Sequence, residues 1–160
     1  MAVTKELINE FKETIISLHD ECIRKSGGLQ GVLSDACLEF AIYDIIKFSL
    51  KNKNNHLLTS AYVCLSIATK HCFYDGNKRT AHLFAKYILL LDNMYLSLYY
   101  KDACTFILMI AQGKKTLQET YSWLKAHTNK LKKNETKKYL REFYYDITYT
   151  KNENKTQKNY

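Results

Sequence analysis

"HLLTSAYVCLSIATKHCFYDGNKRTAHLFAKYILLL", residues 56–91, is the stretch on which the reading of this chain turns. Before its middle stand Leu57, Leu58, Ala61, Val63, Leu65, Ile67 and Ala68; after it come Leu, Ile, Phe and Ala in plenty. Apolar residues on several sides predict two buried helices, about His56–Thr69 and about Asn77–Leu91. Between them "HCFYDGNKR", residues 71–79, gathers a histidine, an aspartate, a glycine, an asparagine, a lysine and an arginine. A helical core has no need of that mixture. Two buried helices joined by a charged loop make a rigid stage for it.

Further out, the pattern stays helical. Leu7, Phe11, Ile15, Leu18 and Cys22 are spaced as one face of a helix over residues 4–25. "SGGLQG" ends it, with Gly27 and Gly28 free to take the left-handed exit. Ser34 or Asp35 caps a second helix that runs to about Leu50. A fifth is expected over about Asp102–Gln112. Thr116 and Glu119 form a capping box for a sixth, "LQETYSWLKAH". The fold class is therefore all-α, a bundle of about six helices, with one more possible in the C-terminal extension.

Composition agrees. The chain has 160 residues, no proline and five glycines, which disfavours a turn-rich β fold. The five cysteines, Cys22, Cys37, Cys64, Cys72 and Cys104, form no CxxC pair and are expected as free core thiols in a reducing compartment. No leader-like or membrane-length apolar run occurs, so a cytoplasmic protein without membrane contact is expected. Residues 128–160 hold nine Lys/Arg against four Asp/Glu, more than half of the +8 formal charge. This divides the chain into a domain over 1–127 and a basic extension over 128–160, partly helical and then disordered.

The chemistry of the loop follows from its position. "DGN" opens a helix whose first amides are unsatisfied and whose dipole is positive there, which makes an anion site. Gly76 serves either as a turn residue or to let a phosphate approach the main chain. Lys78 and Arg79 oppose the helix dipole and make sense with an anion between them and the amides. His82 and Lys86 follow on one face, Lys86 being expected in solvent. Asp75 is either a salt-bridge partner or a carboxylate for Mg²⁺, an ion that completes its shell with phosphates and water. A neutral His71 beside such a site can take a proton from a hydroxyl attacking a bound phosphate. Transfer from a nucleotide to a hydroxyl needs this set of groups.

"HCFYDGNKR" resembles the H-x-F-x-D/E-G-N-K/G-R signature of the Fic/Doc (Fido) proteins, and "GNKRTA" resembles the Doc, or death-on-curing, branch. "SLHDECIRKSGGLQGVLSDACLEFAI" (17–42) is similar to that branch's first helix, glycine turn and second helix. "MIAQGKKTLQETYSWL" (109–124) is similar to its closing helix pair. The resemblance covers about residues 7–126. It implies a Fido-type helical bundle, ATP with Mg²⁺, and modification of a protein hydroxyl. It makes His71 the general base, Asp75 the metal carboxylate and Phe73 structural, with Gly76, Asn77, Lys78 and Arg79 on phosphates. His82 is added to the nucleotide-binding residues. Members that attach AMP commonly read G-N-G-R-x-x-R; here Lys78 replaces the second Gly and His82 the second Arg.

The resemblance implies a toxin of a toxin-antitoxin system. Such a toxin phosphorylates a Ser/Thr hydroxyl of a translation factor like elongation factor Tu and arrests growth. The family's self-inhibitory motif, S/T-x-x-x-E-G/N, is nearest at Ser17–Glu21, where Cys22 follows. An external inhibitor, a cognate antitoxin, is therefore expected. Two rival readings stand beside this one. The first is AMP transfer on the same fold. The second is a non-catalytic protein whose basic tail binds nucleic acid or the ribosome.

Overall fold

The computed structural model describes residues 2–132 together with 135, 138, 139 and 143. Among the described residues six helices run in the order α1 (Lys5–Ser26), α2 (Asp35–Lys51), α3 (His56–Lys70), α4 (Asn77–Leu91), α5 (Tyr100–Ala111) and α6 (Leu117–His127). Each helix starts where local chemistry permits. Thr4, Ser34 and Asn55 accept from the third amide of α1, α2 and α3 at 3.3, 3.2 and 3.1 Å. Thr116 and Glu119 close the expected capping box on α6. The fold is an all-α bundle, as the sequence predicts.

α3 and α4 form its centre and pack on each other more extensively than any other pair. Residues from Thr80 to Lys86 are all buried, so α4 shows almost no solvent face along its middle. Ile15, Leu38, Ile42, Ile45, Ile67, Phe84 and Ile107 are all within 1% of full burial and join α1, α2, α3, α4 and α5 in one core. Each such side chain contributes about 1.5–3 kcal/mol. Among the described residues no helix is long and apolar enough to cross a membrane.

Four features depart from the sequence reading. Met94–Leu96 (β1) pairs antiparallel with Thr128–Lys130 (β2), with Tyr95 opposite Asn129. Three-residue strands leave too short a pattern to read. Cys37 and Cys72, expected as free thiols, are joined in a disulfide with Cα atoms 5.5 Å apart; Cys22, Cys64 and Cys104 remain thiols. Burial pushes the Cys64 thiol up to about 12, so it stays protonated. Lys86, expected in solvent, is 1% exposed. It donates to the Leu98 carbonyl at 2.9 Å and lies over the Tyr95 and Tyr99 rings. Finally, α5 begins at Tyr100, two residues ahead of its expected start.

Most of the expected C-terminal helix lies outside the described residues. Of those described, Tyr139 meets Tyr95 with ring centroids 4.2 Å apart. Phe143 is buried against Cys22 and Leu83.

Candidate active site

α3 ends at Lys70, and His71 takes φ 50 and ψ 45, the left-handed region. Glycine or asparagine suits such a helix exit; another L-residue costs on the order of 1 kcal/mol. Backbone preference therefore does not account for His71. Its side chain is exposed, at the rim of a cavity of about 330 Å³.

The loop beyond His71 is held from three directions. Residues 31–34 run alongside it: Leu33 and Ser34 donate to the Cys72 carbonyl, Val32 bridges Phe73, and Tyr74 donates to the Gly31 carbonyl. From within, Asn77 closes it, accepting from the Phe73 amide at 3.0 Å and donating to the Phe73 carbonyl at 2.9 Å. From behind comes α1. Wholly buried His19 stacks on Phe73, and its Nε2 lies 3.0 Å from the Asp75 carbonyl oxygen. Phe73 itself is 1% exposed and anchors the loop, the structural role expected of it.

Gly76 caps α4 at φ 73, and among the described residues no side chain satisfies the first amides of that helix. No acidic residue stands in its first turn either. The positive end of α4 is therefore left open toward the cavity, which Gly76, Asn77, Lys78 and Arg79 line. Arg79 crosses from this turn to the end of α1. Its Nη1 donates to Ser26 Oγ and to the Gly27 carbonyl, the latter at 2.8 Å. Its Nη2 stands 3.4 Å from Asp75 Oδ1. Asp75 Oδ1 also accepts the Gly76 amide at 2.5 Å.

Of the seven residues expected here, six line the cavity: His71, Asp75, Gly76, Asn77, Lys78 and Arg79. His82 does not. It is fully buried, edge-on to the Tyr100 ring at 5.7 Å, because the second turn of α4 has already entered the core. The role of Asn77 also changes. Both ends of its side-chain amide are spent on Phe73, so only its main-chain N–H can serve an anion.

Sequence reasoning missed Tyr100, Gly28 and His19. Tyr100 faces the loop across the cavity. Burial pushes its phenol up to about 12 against the opposing pull of Arg79, so it keeps its proton at neutral pH. A Cβ on Gly28, at φ 122, would stand 2.2 Å from Asp75 Oδ2, so a side chain there would be strained and would push the carboxylate aside. His19 sits in register with Ile15 and Cys22, and a polar residue on that apolar stripe was the signal available. Glu21, in the nearest match to the self-inhibitory motif, does not engage the loop arginine in an ion pair. Arg24 and then Lys25 of its own helix hold its carboxyl low, at about 2.

The described residues contain no group of three or more side chains able to hold a metal by themselves. One carboxylate at an anion-binding helix end does suit Mg²⁺ brought in with phosphates, since that ion keeps few protein ligands. The cavity thus brings together an uncapped helix start, two cations, one carboxylate and a histidine, groups whose chemistry suits a phosphorylated ligand. A family model of the Fic/DOC family matches residues 2–89. The chain belongs to that family, whose members generally transfer nucleotide or phosphate groups to proteins. No individually curated protein matches it.

Proposed function

We propose that this protein is a Doc-type transferase that moves the γ-phosphoryl group of ATP to a Ser/Thr hydroxyl of a translation elongation factor. The observation that carries the reading is the open positive end of α4, with Lys78 and Arg79 on its first turn and His71 across the cavity rim. In this reading His71 accepts the hydroxyl proton as the substrate oxygen bonds to the γ-phosphorus. The bond to the β,γ-bridging oxygen breaks and ADP leaves. The amides of Gly76, Asn77 and Lys78, with the Lys78 and Arg79 cations, hold the charge on the phosphates. Asp75 would hold Mg²⁺, giving up its contacts with Arg79 and with the Gly76 amide, and that amide would then be free for phosphate. Mg²⁺ supplies neutralisation of phosphate charge when bound.

Phosphoryl rather than adenylyl transfer is favoured by Lys78. It lines the cavity where a glycine would leave bare backbone, and the position of a second arginine is taken by buried His82. Because Glu21 is paired along its own helix, control by a separate antitoxin fits better than self-inhibition. The nine Lys/Arg among residues 128–160 would favour an acidic partner. Activity on an elongation factor would be cytoplasmic work.

Intact-mass analysis tests the proposal. An elongation factor incubated with the protein, Mg²⁺ and ATP should gain one phosphate-sized increment with wild type and none with His71→Ala. An adenylyl-sized increment would move the protein to AMP transfer. No increment, with RNA binding that falls steeply with salt and survives His71→Ala, would favour the non-catalytic reading.

A further inference from the structure

The Asp75–Gly76 peptide sits at the mouth of the anion site, and a residue far away in sequence sets its direction. His19 is wholly buried on α1, its ring 4.1 Å from that of Phe73 and inclined by 11°. A carbonyl oxygen only accepts, so the 3.0 Å contact with Asp75 O requires hydrogen on Nε2. Nδ1 lies 3.0 Å from Asp20 Oδ1, and the stack on Phe73 holds the plane of the ring. α1 backs directly on the loop here: a Cβ on Gly76 would stand 2.9 Å from Ile23 Cδ1 and 3.6 Å from His19 Cδ2.

A trans peptide is planar, and its carbonyl and N–H point in opposite directions. With Asp75 O drawn back to α1, the Gly76 N–H is turned the other way. There Asp75 Oδ1 accepts it at 2.5 Å, and both residues line the cavity. Gly76 has φ 73 and no side chain, so little in the residue itself resists rotation of this peptide. We infer that His19 is a positioning residue that locks the Asp75–Gly76 peptide, its N–H toward the phosphate site and its carbonyl away. Released, the peptide can turn and offer an anion an acceptor in place of a donor. The consequence for binding rests on the nucleotide reading above; the lock itself rests on hydrogen-bond geometry alone.

The test compares wild type, His19→Leu and His19→Gln, whose amide can still donate. Residual dipolar couplings of the Gly76 N–H are measured without nucleotide, and Mg²⁺-ATP affinity by calorimetry. His19→Leu should change the Gly76 coupling while couplings within α3 and α4 hold. It should also weaken Mg²⁺-ATP binding by about tenfold or more, as loss of an anion-directed donor does. His19→Gln should restore most of both. An unchanged Gly76 coupling in His19→Leu overturns the lock. A changed coupling with unchanged affinity overturns its role in binding. If His19→Leu fails to fold, His19→Asn, too short to span the gap, takes its place. Should wild type bind no nucleotide, the proposed function falls while the Gly76 coupling still decides the lock.

Discussion

At the scale of single residues, close approach explains more of this site than charge does. Gly28 is the sharpest case. It has φ 122, where an L side chain is strained, and its Cβ would overlap the Asp75 carboxylate. Gly28→Ala should displace Asp75 and weaken Mg²⁺-dependent nucleotide binding by about tenfold, while the helical signal in circular dichroism stays intact. Undiminished binding would mean that the turn after α1 does not shape the site. Tyr100 gives a prediction in pH. Its folded pKa is raised above the unfolded value near 10, to about 12, chiefly by burial. Below pH 10 neither state ionises it. As pH rises from 10 toward 12 the unfolded state loses the proton first, so stability falls in that window. Melting temperatures between pH 9 and 11.5 should fall less steeply for Tyr100→Phe than for wild type. Equal slopes would place the titration elsewhere.

At the scale of elements, the helices were legible because periodicity and capping agree. α6 shows this best, since Thr116 and Glu119 meet reciprocally, with the two amides at 3.2 and 2.8 Å from the side-chain oxygens. Thr116→Ala should cost about 1 kcal/mol in denaturant unfolding with unchanged slope; no loss would mean that α6 is held by packing alone. What escaped reading had no local signal. β1 and β2 are three residues each and lie far apart in sequence. Lys86 looks like a solvated cation on any helical wheel; Tyr95, Tyr99 and the Leu98 carbonyl, which come from beyond its own helix, help make its burial tolerable. The charged loop was legible as the start of a helix from "DGNKR", because a glycine before a helical run announces the helix and its unsatisfied amides. His82 was misjudged because helical spacing does not tell how soon neighbouring elements enclose a helix.

At the scale of the whole molecule, long-range ties hold the loop to the rest. The Cys37–Cys72 disulfide joins the start of α2 to the residue after His71 and closes a separation of 35 residues. A loop of that length is worth about 3–4 kcal/mol through the unfolded chain. Thiol reductant should lower the melting temperature of wild type and leave Cys37→Ser/Cys72→Ser unmoved; identical behaviour of the two would show that the bond does not form in solution. The reach from His19 to Asp75 is longer still, at 56 residues. That span has a meaning for protein synthesis. A chain leaving the ribosome exposes α1 well before the segment it clasps has been made, and the glycine turn after α1 must wait as well. Until about the end of α4 has emerged the cavity behind His71 has no floor. Prematurely terminated products that stop short of that point lack the candidate site altogether, however well their first helices form.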